Sequence, residues 1–156
     1  MKVILSWKGK MSFEGASDSG FVQKMDTDEA VGGENSAARP MEFIALGLAG
    51  CTGMDVISIL QKKKQAITDF QVQVHAQREV EHPKVISSAV IEYLIRGNNV
   101  EEAAVLRAIE LSAEKYCPAQ AMLGKAFPMQ LVYKIFNEDG KILVKQGEYV
   151  VKKEVA

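Results

Sequence analysis

Apolar residues fall at every second position at the start of the chain, where Val3, Leu5 and Trp7 are followed by Met11 and Phe13. Phe21 and Met25 then come after the turn-rich EGASDSG. Period two is the signature of half-buried strands, so a meander of about three strands is expected. Residues 26 to 38, DTDEAVGGENSAA, hold acids, small residues and a Gly pair without periodicity, which predicts a mobile surface loop that could cover a site. The pattern changes at EFIALGLAGCTGMDVISILQKK, residues 42 to 63, which is apolar on nearly every side. Pro40 suits a first helical turn, Glu42 suits the positive helix end, and the lysines of QKKKQ suit the negative end, so a long helix beginning near residue 40 is predicted. Its uncharged run from Phe43 to Met54 is short of the ~20 apolar residues of a membrane span, so the helix is expected to be buried in protein.

Period two returns with Phe70, Val72, Val74, Ala76 and Val80 on one face and Gln71, Gln73, His75, Gln77 and Glu79 on the other. A turn at EHPK and the β-branched VISSAVIEYLI complete an expected antiparallel hairpin. A second helix follows, with Asn99 as its expected cap, Glu102 three residues later, and Val105, Ala108, Ile109, Ser112 and Tyr116 on one stripe. Pro118 predicts a short third helix capped by Cys117, and the stretch from Pro128 to Lys153 predicts two strands around an Asn-Glu-Asp-Gly turn. With 156 residues and neither repeat nor linker, one domain over 1–156 is expected, with the meander and loop at 1–38 and all else at 39–156.

Composition adds exclusions. A formal charge of -1 argues against a nucleic-acid partner, and MKVILSWKGK turns polar too early for an export signal, so a cytoplasmic location with no membrane association is expected. The Gly pair at 32–33 is not followed by Lys-Ser/Thr, which disfavours a phosphate loop. His75 lies on a polar strand face and His82 beside a turn proline, both solvated positions, which disfavours a cysteine–histidine protease. Neither cysteine has a ligand-type partner at zinc spacing, so neither metal nor cofactor is expected.

The two cysteines carry the candidate chemistry. Cys51 sits mid-helix among Gly47, Gly50 and Gly53, each costing ~1 kcal/mol against Ala. A small buried hydrophobe, a close helix seam and a substrate-facing thiol all fit there. Asp55, one turn later, would oppose a thiolate facing it, so a cation is required; Arg39 is the nearest in sequence, and Glu42 could hold its guanidinium by a bidentate pair. Nine helical residues turn through about 900 degrees, so Glu42 and Cys51 would point apart unless the helix starts after Glu42 or a second subunit completes the site. Cys117, at a helix N-terminus, is expected to have its pKa lowered toward the thiolate, against the plainer reading of a small residue filling a helix junction. Together the two thiols are the minimum set for peroxide cleavage followed by disulfide closure.

RPMEFIALGLAGCTGMDVISIL resembles the central helix of the OsmC/Ohr family, the osmotically inducible and organic hydroperoxide resistance proteins, and KYCPAQAML resembles its second-cysteine segment. The similarity runs through nearly the whole chain. It implies an intertwined α+β homodimer with paired central helices, Cys51 as peroxidatic thiol in an apolar pocket, Cys117 as resolving thiol, and a dithiol reductant such as a lipoylated protein. Two departures stand out: Met41 separates Pro40 from Glu42, and no arginine precedes Arg39, only Lys8, Lys10 and Lys24. The expected function is an organic hydroperoxide peroxidase in oxidative stress defence, with Cys51, Cys117, Arg39 and Glu42 as catalytic residues. The alternative is a non-catalytic dimer that binds a small apolar or thiol-reactive ligand.

Overall fold

The computed structural model describes residues 1–151. The chain forms two compact units, residues 1–45 and the remainder from Leu46 onward.

The first unit opens with the expected meander: β1 (Val3–Gly9), β2 (Ser12–Ser17) and β3 (Val22–Met25) pair antiparallel in that order. The aperiodic segment after it is more ordered than its composition suggests. Asp26, 2% exposed, is the hub. Its carboxylate accepts from the main-chain N–H of Thr27 at 2.8 Å, Glu34 at 3.1 Å and Ser36 at 3.0 Å, and from Ser36 Oγ at 2.7 Å. A 3₁₀ turn at Glu29–Val31 closes on Gly32 at φ 89°, a left-handed conformation open to glycine. Gly33 lies so near Thr27 that an added Cβ would sit 2.0 Å from the Thr27 carbonyl oxygen. The Gly pair therefore shapes this loop, which one carboxylate staples shut.

In the second unit β4 (Ala66–Arg78), β5 (Ile86–Asn98), β6 (Met129–Phe136) and β7 (Leu143–Tyr149) form one sheet in chain order. β4 and β5 make the expected long hairpin, and β6 and β7 pair antiparallel around the Asn-Glu-Asp-Gly turn. Residues 152 and 153 of the predicted closing stretch lie outside the described residues. β5 and β6 run parallel, which requires a crossover, and α2 (Glu102–Leu111) with α3 (Pro118–Leu123) supplies it. Asn99 is not the cap of α2: it takes a positive φ of 50°, which Asn tolerates, and Glu101 is the capping position without a side-chain bond. α2 passes into a π-helical turn at Ser112–Tyr116 that the periodicity does not predict.

α1 (Pro40–Lys62) begins and ends as expected. Leu48, Val56 and Leu60 from α1 pack with Ile91, Tyr93 and Ile95 of β5, Val105 and Ile109 of α2, and Leu131 and Ile135 of β6. The expected burial of this helix is found on one face within its own chain, where Leu48, Thr52, Gly53, Val56 and Leu60 are buried. Its 23 residues are long and apolar enough to cross a membrane by length and composition, and only 28% of its most apolar stretch is buried. Leu46 and Met54 are exposed. Of the three helix glycines, Gly53 meets a neighbour, with Val72 Cγ2 3.2 Å from where a Cβ would stand, whereas a Cβ at Gly47 or Gly50 would meet no atom of another element within 4 Å among the described residues.

Candidate functional site

α1 presents Cys51, half-buried, and the π-helical turn delivers Cys117 to the N-cap of α3. Both thiols are free, and they lie close enough to influence each other electrostatically although 66 positions separate them in the sequence. Cys117 is 2% exposed. Its Sγ accepts from the Gln120 main-chain N–H at 3.4 Å, which fits the predicted capping role. The expected lowering of its pKa is overturned: burial pushes the thiol up to about 11, from an ordinary value of 9.0. The Gln120 and Ala119 N–H groups pull the other way and lose, because removing a thiolate from water costs more than one short helix end returns.

Around the thiols lies a buried polar cluster that the sequence reading did not assemble. Thr52 Oγ1 is 2.6 Å from Tyr93 Oη, 3.0 Å from Ser112 Oγ, and accepts from Gln120 Nε2 at 2.8 Å. Ser112 Oγ donates to Asp55 Oδ2 at 3.1 Å, so the Asp55 carboxylate is occupied by a hydroxyl. Burial raises the Tyr93 pKa to about 12, which keeps its hydroxyl a donor. The available signal was a polar residue at an otherwise apolar position: Ser112 on the α2 stripe, and Thr52 inside the cysteine helix.

Arg39 and Glu42 lie in the first unit and are brought together there, but by a different bond from the expected fork. Glu42 Oε2 accepts the Arg39 main-chain N–H at 2.8 Å. With Pro40 as the first helical residue, Glu42 is the third, and an acid at that place reaches back to the capping residue. The Arg39 guanidinium instead binds Asp28 at 2.5 Å and Asn35 at 3.4 Å.

Two sheets, a long cysteine helix and a pair of neighbouring thiols define an α+β dithiol protein. Residues 33–132 match the family model described as OsmC-like protein, and the chain belongs to the OsmC family. It is 34% identical to protein YhfA of Escherichia coli K12 over 135 residues, covering 86% of this chain and 98% of that protein. Among solved structures it is similar to a hypothetical protein of Aquifex aeolicus, with 28% identity, a TM-score of 0.76, and 88% and 96% of the two chains covered. An organic hydroperoxide resistance protein OsmC of Legionella pneumophila shares the fold at 16% identity and a TM-score of 0.58, over 86% and 96% of the two chains.

Proposed function

We propose that this chain is a thiol-dependent peroxidase that reduces organic hydroperoxides to alcohols in oxidative stress defence. The observation that carries the reading is the proximity of a half-buried thiol, Cys51, to a buried one, Cys117. The family supports the same reading, since structural relatives bear the name organic hydroperoxide resistance protein. In the first step the Cys51 thiolate attacks the terminal oxygen of ROOH. The O–O bond breaks, the alkoxide takes a proton and leaves as alcohol, and Cys51 becomes a sulfenic acid. In the second step Cys117 sulfur attacks the Cys51 sulfur. Hydroxide leaves and is protonated to water, and the disulfide closes. A dithiol such as a lipoylated protein then returns both electrons. We assign to Arg39, supplied by a second copy of the chain, the cation that stabilises the Cys51 thiolate and polarises the peroxide, with Glu42 fixing the helix entry beside it. The exposed Leu46 and Met54 and the open faces of Gly47 and Gly50 support a homodimer. A reducing cytoplasm suits two free thiols.

The test is anaerobic stopped-flow of reduced protein with cumene hydroperoxide, followed by disulfide mapping. The expected result is fast loss of two thiols per chain and release of one alcohol, abolished by Cys51→Ser. With Cys117→Ser, a trappable sulfenic acid remains. Thiol loss no faster than that of a free cysteine at the same pH overturns the peroxidase and leaves an OsmC-like dimer that binds a ligand.

A further inference from the structure

Thr52 is the residue after Cys51, and its side chain is fully buried. A threonine inside a helix ordinarily spends its hydroxyl on its own helix, on the carbonyl one turn back. Here the hydroxyl reaches across the fold to both flanks of Cys117. Ser112 stands five residues before that thiol and Gln120 three residues after it.

The donors can be counted. Gln120 Nε2 can only donate, and Ser112 commits its one hydrogen to the Asp55 carboxylate. The Thr52 hydrogen therefore goes to Ser112, and Tyr93 donates to Thr52. Thr52 then accepts two hydrogen bonds and donates one, which is all a hydroxyl can do. No buried polar side-chain atom among the described residues is left without a partner. A saturated buried joint has one geometry, since any movement leaves a polar group unpaired. Gln120 extends the joint to the sulfur, because its main-chain N–H points at Cys117 Sγ while its side chain holds Thr52.

We propose that Thr52, Gln120 and Ser112 form a clamp that holds the Cys51 and Cys117 segments in register, so that the reduced protein is already arranged for disulfide closure. These are positioning residues, since none of them exchanges a bond in the reaction. The biological purpose of the clamp rests on the peroxidase reading, but its geometry and its test do not need a hydroperoxide. Holding two groups together raises the effective concentration of one for the other, and for a dithiol this is measured by equilibrium with glutathione. As the protein disulfide forms, two thiol protons and two electrons pass to one glutathione disulfide, which becomes two glutathione thiols.

Reduced full-length protein is equilibrated at neutral pH over a series of glutathione ratios, acid-quenched, alkylated and weighed by mass spectrometry. Urea unfolding of the reduced form is run in parallel. Thr52→Val keeps the shape and removes the hydroxyl, and it should lower the equilibrium constant about tenfold, the worth of one good buried hydrogen bond. Gln120→Met should lower it comparably, and Thr52→Ser should restore it to within about twofold. A purely structural role would destabilise dithiol and disulfide forms alike and leave the constant unmoved. If Thr52→Val does not fold, Gln120→Met and Ser112→Ala decide the matter. Constants for both foldable deletions within twofold of the parent overturn the clamp. A protein that closes its disulfide with glutathione in this clamp-dependent way, yet reacts slowly with cumene hydroperoxide, loses the peroxidase reading and keeps the clamp.

Discussion

Burial sets the order in which the two thiols react. Cys117, held near 11, has roughly one part in 10⁴ as thiolate at neutral pH, and it is closed off from solvent. Iodoacetamide added to the native reduced protein at pH 7.5 should therefore label Cys51 first and leave Cys117 until the chain is unfolded, as peptide mass spectrometry would show. The same shift has a consequence for stability. The folded value lies above the unfolded value of about 9, so the native state keeps its proton while the unfolded chain loses it. This thiol's contribution is full below about pH 9 and is lost as pH rises through about 11. The urea midpoint of Cys117→Ala should fall less over that range than that of the parent, with the alkaline loss from Tyr93 and Tyr133, both raised to about 12, left in place. Sequence reasoning located the cap and missed the sign. A cap position can be read from Cys-Pro, but desolvation depends on neighbours drawn from β5, α1 and the π-helical turn, which are distant in the sequence.

At the level of elements, periodic stretches were legible and aperiodic ones were not. The strands of both units, the long helix and the Cys117 cap all follow from period two, apolar runs and proline placement. The π-helical turn has no periodic signature, and the 26–38 segment reads as mobile because its order comes from hydrogen bonds to a single carboxylate. That carboxylate makes a direct prediction. The Ser36 hydroxyl and main chain, followed by the Thr27 amide, hold the Asp26 pKa down to about 2, below its ordinary 3.8. A depressed acid stabilises above its unfolded value and loses that contribution as pH falls through the folded value. The Glu34 and Ser36 amide resonances should thus hold their positions from pH 7 to about 4 and move only as pH approaches about 2. In Asp26→Ala they should already sit at exposed-loop positions at pH 7, and the segment should become a site of proteolytic cleavage. Resonances that shift with an ordinary midpoint near 4 would remove Asp26 from the centre of this loop.

For the molecule as a whole, the unexplained quantity is the apolar surface of α1. A helix with so much exposed apolar length, interrupted at Gly47 and Gly50 where an added Cβ would meet open space among the described residues, is poorly suited to a solvated monomer. Gly53 is different, since β4 packs closely on it. Two opposing effects of the same substitution decide what covers Gly47 and Gly50. If their face is open to water, Gly→Ala adds helix propensity worth ~1 kcal/mol per site and raises thermal stability. If a second α1 lies against them, each methyl group enters filled space, and overpacking costs ~1–3 kcal/mol, which exceeds the propensity gain. The proposed homodimer therefore predicts that the Gly47→Ala, Gly50→Ala double variant weakens self-association by about tenfold or more, as measured by sedimentation velocity across a dilution series. Helix content of the dissociated chain should meanwhile stay the same or rise. A double variant that associates like the parent and melts higher would mean that the glycines are not a seam, and a different surface would have to cover Leu46 and Met54.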